Sequence, residues 1–140
     1  MIKSAIIHPQ LISSLALCGH KTQILIADAN YAFKSNAPKG VEIIYLNLAP
    51  GTIPATLILE RLLEIINDEQ ATMMNWPTSF QNTIIDEYQA CLPASCTISY
   101  LEREDFYNKV RSEMTLMVIA SGETRCFANL LLTVAPVILD

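Results

Sequence analysis

Residues 22–29 read TQILIADA: Ile24, Leu25, Ile26 and Ala27 form an unbroken apolar run that closes on Asp28. A short isoleucine-rich run without polar alternation predicts a strand covered on both faces, as in a sheet sandwiched between helices. Upstream, His8-Pro9 opens a helix predicted to run to about Cys18, because proline suits a first helical turn and Gly19 supplies a left-handed stop. Downstream, NYAFKSNAPKG (30–40) carries the punctuation of a loop, and VEIIYLNL (41–48) predicts a second strand. The alternation continues with a helix over ATLILERLLEIIN (55–67), a short strand at 70–75, a helix over 79–91 and a strand at 96–101. A helix over 102–113, a strand at 115–121 and a final strand through FANLLLTVAPV (127–137) complete it. Two apolar periods alternating from end to end define an α/β layered domain. With 140 residues and no linker, repeat or low-complexity tract, the chain is expected to form one domain, 1–140.

Composition narrows the function. Hydrophobic residues make up 51% of the chain and charged residues 16%, against about 25% charged in an average soluble domain. So apolar a surface on so small a domain predicts burial against further copies of the chain. A net charge of -5 argues against nucleic acid and anionic lipid as partners. No apolar run approaches the roughly twenty residues of a membrane span, and the N-terminal stretch lacks the uninterrupted core of a signal peptide. Cys18, Cys91, Cys96 and Cys126 show no CxxC spacing, so they are expected to be reduced, packed thiols in a cytoplasmic protein.

The motifs of cofactor chemistry are missing. Gly19, Gly40, Gly51 and Gly122 fall into no phosphate-binding spacing, His8 and His20 into no metal-ligand cluster, and no GxSxG elbow occurs. The expectation is neither cofactor nor metal. A sparse polar set at element ends remains. His20 precedes the first long strand and Asp28 closes it, where open α/β sheets bind ligands. Asn129 interrupts an apolar final strand, and a buried amide there needs hydrogen-bond partners, which a sugar can supply.

The segments IIHPQLISSLALCGH, TQILIADANYA, LAPGTIP and SGETRCFANLLL, in this order, resemble the ribose pyranase/L-fucose mutarotase (RbsD/FucU) family across nearly the whole chain. The resemblance implies a three-layer α/β/α fold with a mostly parallel, mixed central sheet. It further implies cofactor-independent interconversion of the ring forms or anomers of a free monosaccharide. It also implies a ring-shaped homo-oligomer, a decamer or octamer, with the pocket at the contact between subunits. Carried over by position, it makes His20 the acid/base and Asp28 its partner carboxylate or a sugar ligand. Arg103, Phe127 and Asn129 become sugar-binding residues, and Arg103 in REDFY is closer to the fucose branch than to the ribose branch. Two departures stand out: Phe127 replaces a tyrosine common in the family, and Asn30-Tyr31-Ala32 replaces the His-Phe-Pro of fucose-type members. Tyr31 is one possible source of the missing phenol. A non-catalytic sugar-binding protein and a structural protein with a vestigial pocket are the rival readings. Each residue also has a structural alternative: a capping or surface role for His20, strand termination for Asp28, pairing with Glu102 or Glu104 for Arg103, and strand tethering for Asn129.

Overall fold

The computed structural model describes residues 1–140. In chain order the elements are α1 (Pro9–Leu15), β1 (Gln23–Ala27), β2 (Glu42–Tyr45), α2 (Ala55–Leu63), β3 (Asn67–Met74), α3 (Ile84–Cys91), β4 (Thr97–Leu101), α4 (Arg103–Val110), β5 (Thr115–Ala120) and β6 (Leu130–Ala135). They form a single six-stranded sheet in the order β2-β5-β1-β6-β3-β4. Only β6 runs against its neighbours, pairing antiparallel with β1 and β3, while the β1-β5, β2-β5 and β3-β4 pairs are parallel. This is the mostly parallel, mixed α/β sheet expected.

β1 is buried at every residue, as its apolar run requires. Its alternate side chains feed two cores. Ile24 and Ile26 join Leu11, Ile58, Leu59, Leu62, Ile84 and Tyr88, so α1, α2 and α3 cover one face. Leu25 and Ala27 join Tyr31, Phe106 and Val110, so α4 and the loop after β1 cover the other. No helix is long and apolar enough to cross a membrane.

Several boundaries differ from the sequence expectation, each for a local reason. Apolar Ile65 and Ile66 extend the helical stripe of α2, yet their amides close a turn on the Leu62 carbonyl, and the chain enters β3 at Asn67. α3 starts late because the Asn82 side chain accepts from the amides of Ile84 and Ile85, satisfying donors at the helix start. At α1, His8 Nδ1 accepts from the Leu11 amide, giving this histidine a structural use. The left-handed residue ahead of β1 is Lys21 (φ 72°) rather than Gly19. Phe127 is also left-handed (φ 58°), so residues 127–129 turn into β6 instead of lengthening it.

Candidate functional site

Because β6 is antiparallel, its beginning lies beside the carboxyl ends of β1 and β3. The register pairs Ile26 with Leu130, so two residues further along each strand Asp28 meets the residues just before β6. There the Asp28 amide donates to Asn129 Oδ1 at 2.8 Å, and Asn129 Nδ2 donates back to Asp28 Oδ2 at 2.9 Å. The Asn30 amide donates to the other carboxylate oxygen at 2.9 Å. Burial raises the Asp28 pKa above the ordinary aspartate value, against the hydrogen bonds from Asn30, Ala128 and Asn129, with Glu123 nearby adding to the rise. Asp28 thus meets two of the hydrogen-bonding groups of the Asn129 amide, which ties two strand ends together.

The surrounding turn is rigidly held. Glu123, buried, accepts from the Arg125 guanidinium at 2.9 and 3.0 Å, and the same guanidinium reaches Glu87 of α3 at 2.7 Å. The Ala29 amide donates to the Glu123 carbonyl at 2.7 Å, fastening the residue after Asp28 to this turn. Asn82 donates to the Phe127 carbonyl and Tyr88 to that of Ala128, while Phe80 packs edge-on against the Phe127 ring at 5.0 Å.

A cavity of about 320 Å³ opens here, lined by Asp28, Asn30, Tyr31, Met74, Arg103, Tyr107, Cys126, Phe127 and Asn129. Its volume lies at the small end of ligand pockets, which run from roughly 300 to 1,000 Å³. Arg103 begins α4 at the carboxyl edge of the sheet and forms no ion pair with Glu102 or Glu104; Glu102 instead accepts from Asn75 at 2.7 Å. One helical turn on, Tyr107 stands on the same face as Arg103. The Tyr31 hydroxyl is committed to the Asn36 carbonyl at 2.7 Å, so Tyr31 is not a free phenol for a ligand. Tyr107 is the cavity's other phenol, and its hydroxyl makes no hydrogen bond within the chain. The i, i+4 spacing of Arg103 and Tyr107 was the signal for Tyr107 in the sequence, and reading the helix only at Arg103 missed it.

His20 lies elsewhere. It stands in the Gly19–Thr22 turn before β1, whereas Asp28 follows the end of that strand, and β1 alone spans about 17 Å at 3.3 Å per residue. One chain therefore does not bring the expected His20–Asp28 pair together, a correction imposed by the strand between them. The His20 side chain is 49% exposed and contacts Glu69 at 3.2 Å. It borders a separate, mainly apolar cavity of about 480 Å³ that includes Leu15, Ile66 and Val134.

A small cleft at the carboxyl ends of parallel strands, built around one fixed carboxylate with an unpaired arginine at its rim, has the position and the groups of a ligand site in an α/β protein. The matching family model, the RbsD / FucU transport protein family, spans residues 1–137, and the chain belongs to that family of sugar mutarotases and pyranases. It is 31% identical over 137 residues to human fucose mutarotase, covering 91% of this chain and 88% of the relative. Among solved structures, a Streptococcus pneumoniae fucose mutarotase in complex with L-fucose superposes with a TM-score of 0.77 at 28% identity, covering 94% of this chain and 95% of the other. Bacillus subtilis RbsD complexed with D-ribose superposes with a TM-score of 0.80 at 26% identity, covering 99% and 100%.

Proposed function

We propose that the chain is a cofactor-independent mutarotase of a free monosaccharide, L-fucose or a related sugar, and that its site is completed by two copies of the chain. The observation that carries this reading is the fixed Asp28 carboxylate beside an unpaired Arg103 and a free Tyr107 hydroxyl in one small cavity. These groups match a sugar: a carboxylate accepts from hydroxyls, and a guanidinium donates to ring and hydroxyl oxygens. Phe127 offers an apolar ring edge to the C–H side of the sugar. Asn129 acts through Asp28, which it orients.

Mutarotation removes the proton of the anomeric hydroxyl, breaks the bond between the anomeric carbon and the ring oxygen, and protonates that oxygen. The resulting aldehyde recloses on either face. An imidazole suits both transfers, since its unperturbed pKa of about 6.5 makes both protonation states available near neutrality, and such catalysis contributes about 10²- to 10⁴-fold. His20 fills this role from a neighbouring copy. Its exposure at the opposite end of β1 and the sparse surface charge support delivery across a contact between copies. Arg103 together with Phe106-Tyr107 supports the fucose side of the family over the ribose side.

Magnetisation-exchange NMR on equilibrating L-fucose, D-ribose and D-galactose tests this. The expected result is accelerated anomer exchange, strongest for L-fucose, abolished by His20→Ala. Arg103→Ala is expected to raise KM about tenfold, the equivalent of a lost charge-assisted hydrogen bond. Binding without acceleration supports the second reading, a non-catalytic sugar-binding protein, which the loss of a phenol at Phe127 and the engaged Tyr31 hydroxyl favour. Neither binding nor acceleration overturns both.

A further inference from the structure

The deliberate placement of His20 extends to a second residue. Gly19, His20, Lys21 and Thr22 form a closed turn: the Thr22 amide donates to the Gly19 carbonyl, and the Gly19 amide to Thr22 Oγ1 at 3.1 Å. The turn is fastened to β6, where Lys21 donates to the Val134 carbonyl at 2.9 Å and Val134 donates to that of Thr22 at 2.8 Å. On the other side of β6, the β3 register slips between Asp68, opposite Val134, and Gln70, opposite Thr133. Glu69 is the unpaired residue of this bulge. Bulges re-aim a side chain, and this one sends the Glu69 carboxylate to His20 and Lys21, bonding His20 Nε2 through Oε2 at 3.2 Å and Lys21 through Oε1. Lys21 beside it holds the Glu69 carboxyl below the usual glutamate range, so it is ionised at neutral pH. An ionised carboxylate only accepts, so the imidazole proton of neutral His20 sits on Nε2 and the lone pair on Nδ1.

We propose that Glu69 is the positioning residue of this enzyme, fixing the tautomer and ring orientation of His20 so that Nδ1 faces the sugar held by the neighbouring copy. The inference rests on His20 being the acid/base group. Lys21 shares the carboxylate, while Asp68 on the same strand faces inward to Cys96 and Thr133 and stays out of the pair. Glu69 touches no residue of the Asp28 cavity of its own chain, so the expected effect of its loss is on turnover rather than on sugar binding.

The test combines 15N NMR of the His20 ring with steady-state anomer exchange in Glu69→Ala, Glu69→Asp and His20→Ala. In the wild type the ring nitrogens are expected to report a single Nε2–H tautomer; in Glu69→Ala they report a mixture. The same variant is expected to lose about tenfold or more in kcat with KM within twofold, since ordering of a general base is lost and sugar contacts are kept. Glu69→Asp is expected to recover part of the loss. If His20→Ala is inactive while Glu69→Ala keeps the wild-type tautomer and kcat, the role of Glu69 is overturned. If His20→Ala is as active as the wild type, the acid/base reading beneath it fails instead.

Discussion

Asp28 and Asn129 are 101 positions apart and exchange two hydrogen bonds, each satisfying a polar group whose unpaired burial costs about 1–3 kcal/mol. The second buried aspartate, Asp68, accepts from the Thr133 amide at 3.0 Å and from Cys96 at 3.2 Å, yet burial pushes its pKa up to about 6. A folded value above the unfolded one of about 3.9 means that protonated Asp68 stabilises the fold below about pH 4, and this contribution is lost as pH rises to about 6. Asp68→Asn, which cannot ionise, is therefore expected to gain relative to the wild type by up to about 3 kcal/mol between pH 4 and 7. Urea unfolding of both proteins at several pH values measures the difference; parallel profiles would contradict the assignment. Polarity in an apolar run marked Asp28 and Asn129 in the sequence, but their mutual pairing depends on strand register, which no local pattern carries. For the same reason His20 was legible as a turn residue while its distance from Asp28 was not.

At the scale of elements, the loop after β5 and the loop before α2 are built as one unit. The Gly51 amide donates to the Gly122 carbonyl at 2.7 Å, and the Gly122 amide to that of Ile53 at 2.8 Å. A Cβ at position 122 would lie 1.9 Å from the Thr52 carbonyl oxygen, a backbone atom with little room to move. Gly122→Ala is thus expected to cost about 2–3 kcal/mol, as overpacking does, and to displace the Glu123–Arg125 turn behind Asp28. Thermal unfolding and sugar binding should fall together; an unchanged midpoint would show that the two loops separate freely. The LAPGTIP and SGETRCFANLLL segments were visible in the sequence as separate landmarks, whereas their contact appears only once β5 and α2 are packed. Strand identity was more legible than helix length: the apolar run of β1 is unmistakable, but Ile65-Ile66 prolongs an α2 stripe that the chain itself abandons at Leu63.

Across the whole molecule, the proposed reading divides one chemistry between the two ends of the sheet. The carboxyl end holds Asp28, Arg103 and Tyr107 around a cavity without a histidine; the opposite end presents a histidine braced by Glu69. Exposed Leu48, Tyr45 and Ile7, on a chain with only 16% charged residues, add apolar surface suited to contacts between copies. Subunit complementation reads out whether a site is shared between copies. His20→Ala and Asp28→Asn are each expected to be inactive alone. When they are co-refolded in equal amounts, about a quarter of the sites in a randomly assembled ring pair an intact Asp28 with an intact His20 from the adjacent copy. Anomer exchange measured by NMR should then return to about a quarter of the wild-type rate, whereas a mixture as inactive as its components would mean that His20 and Asp28 of different copies do not share a site.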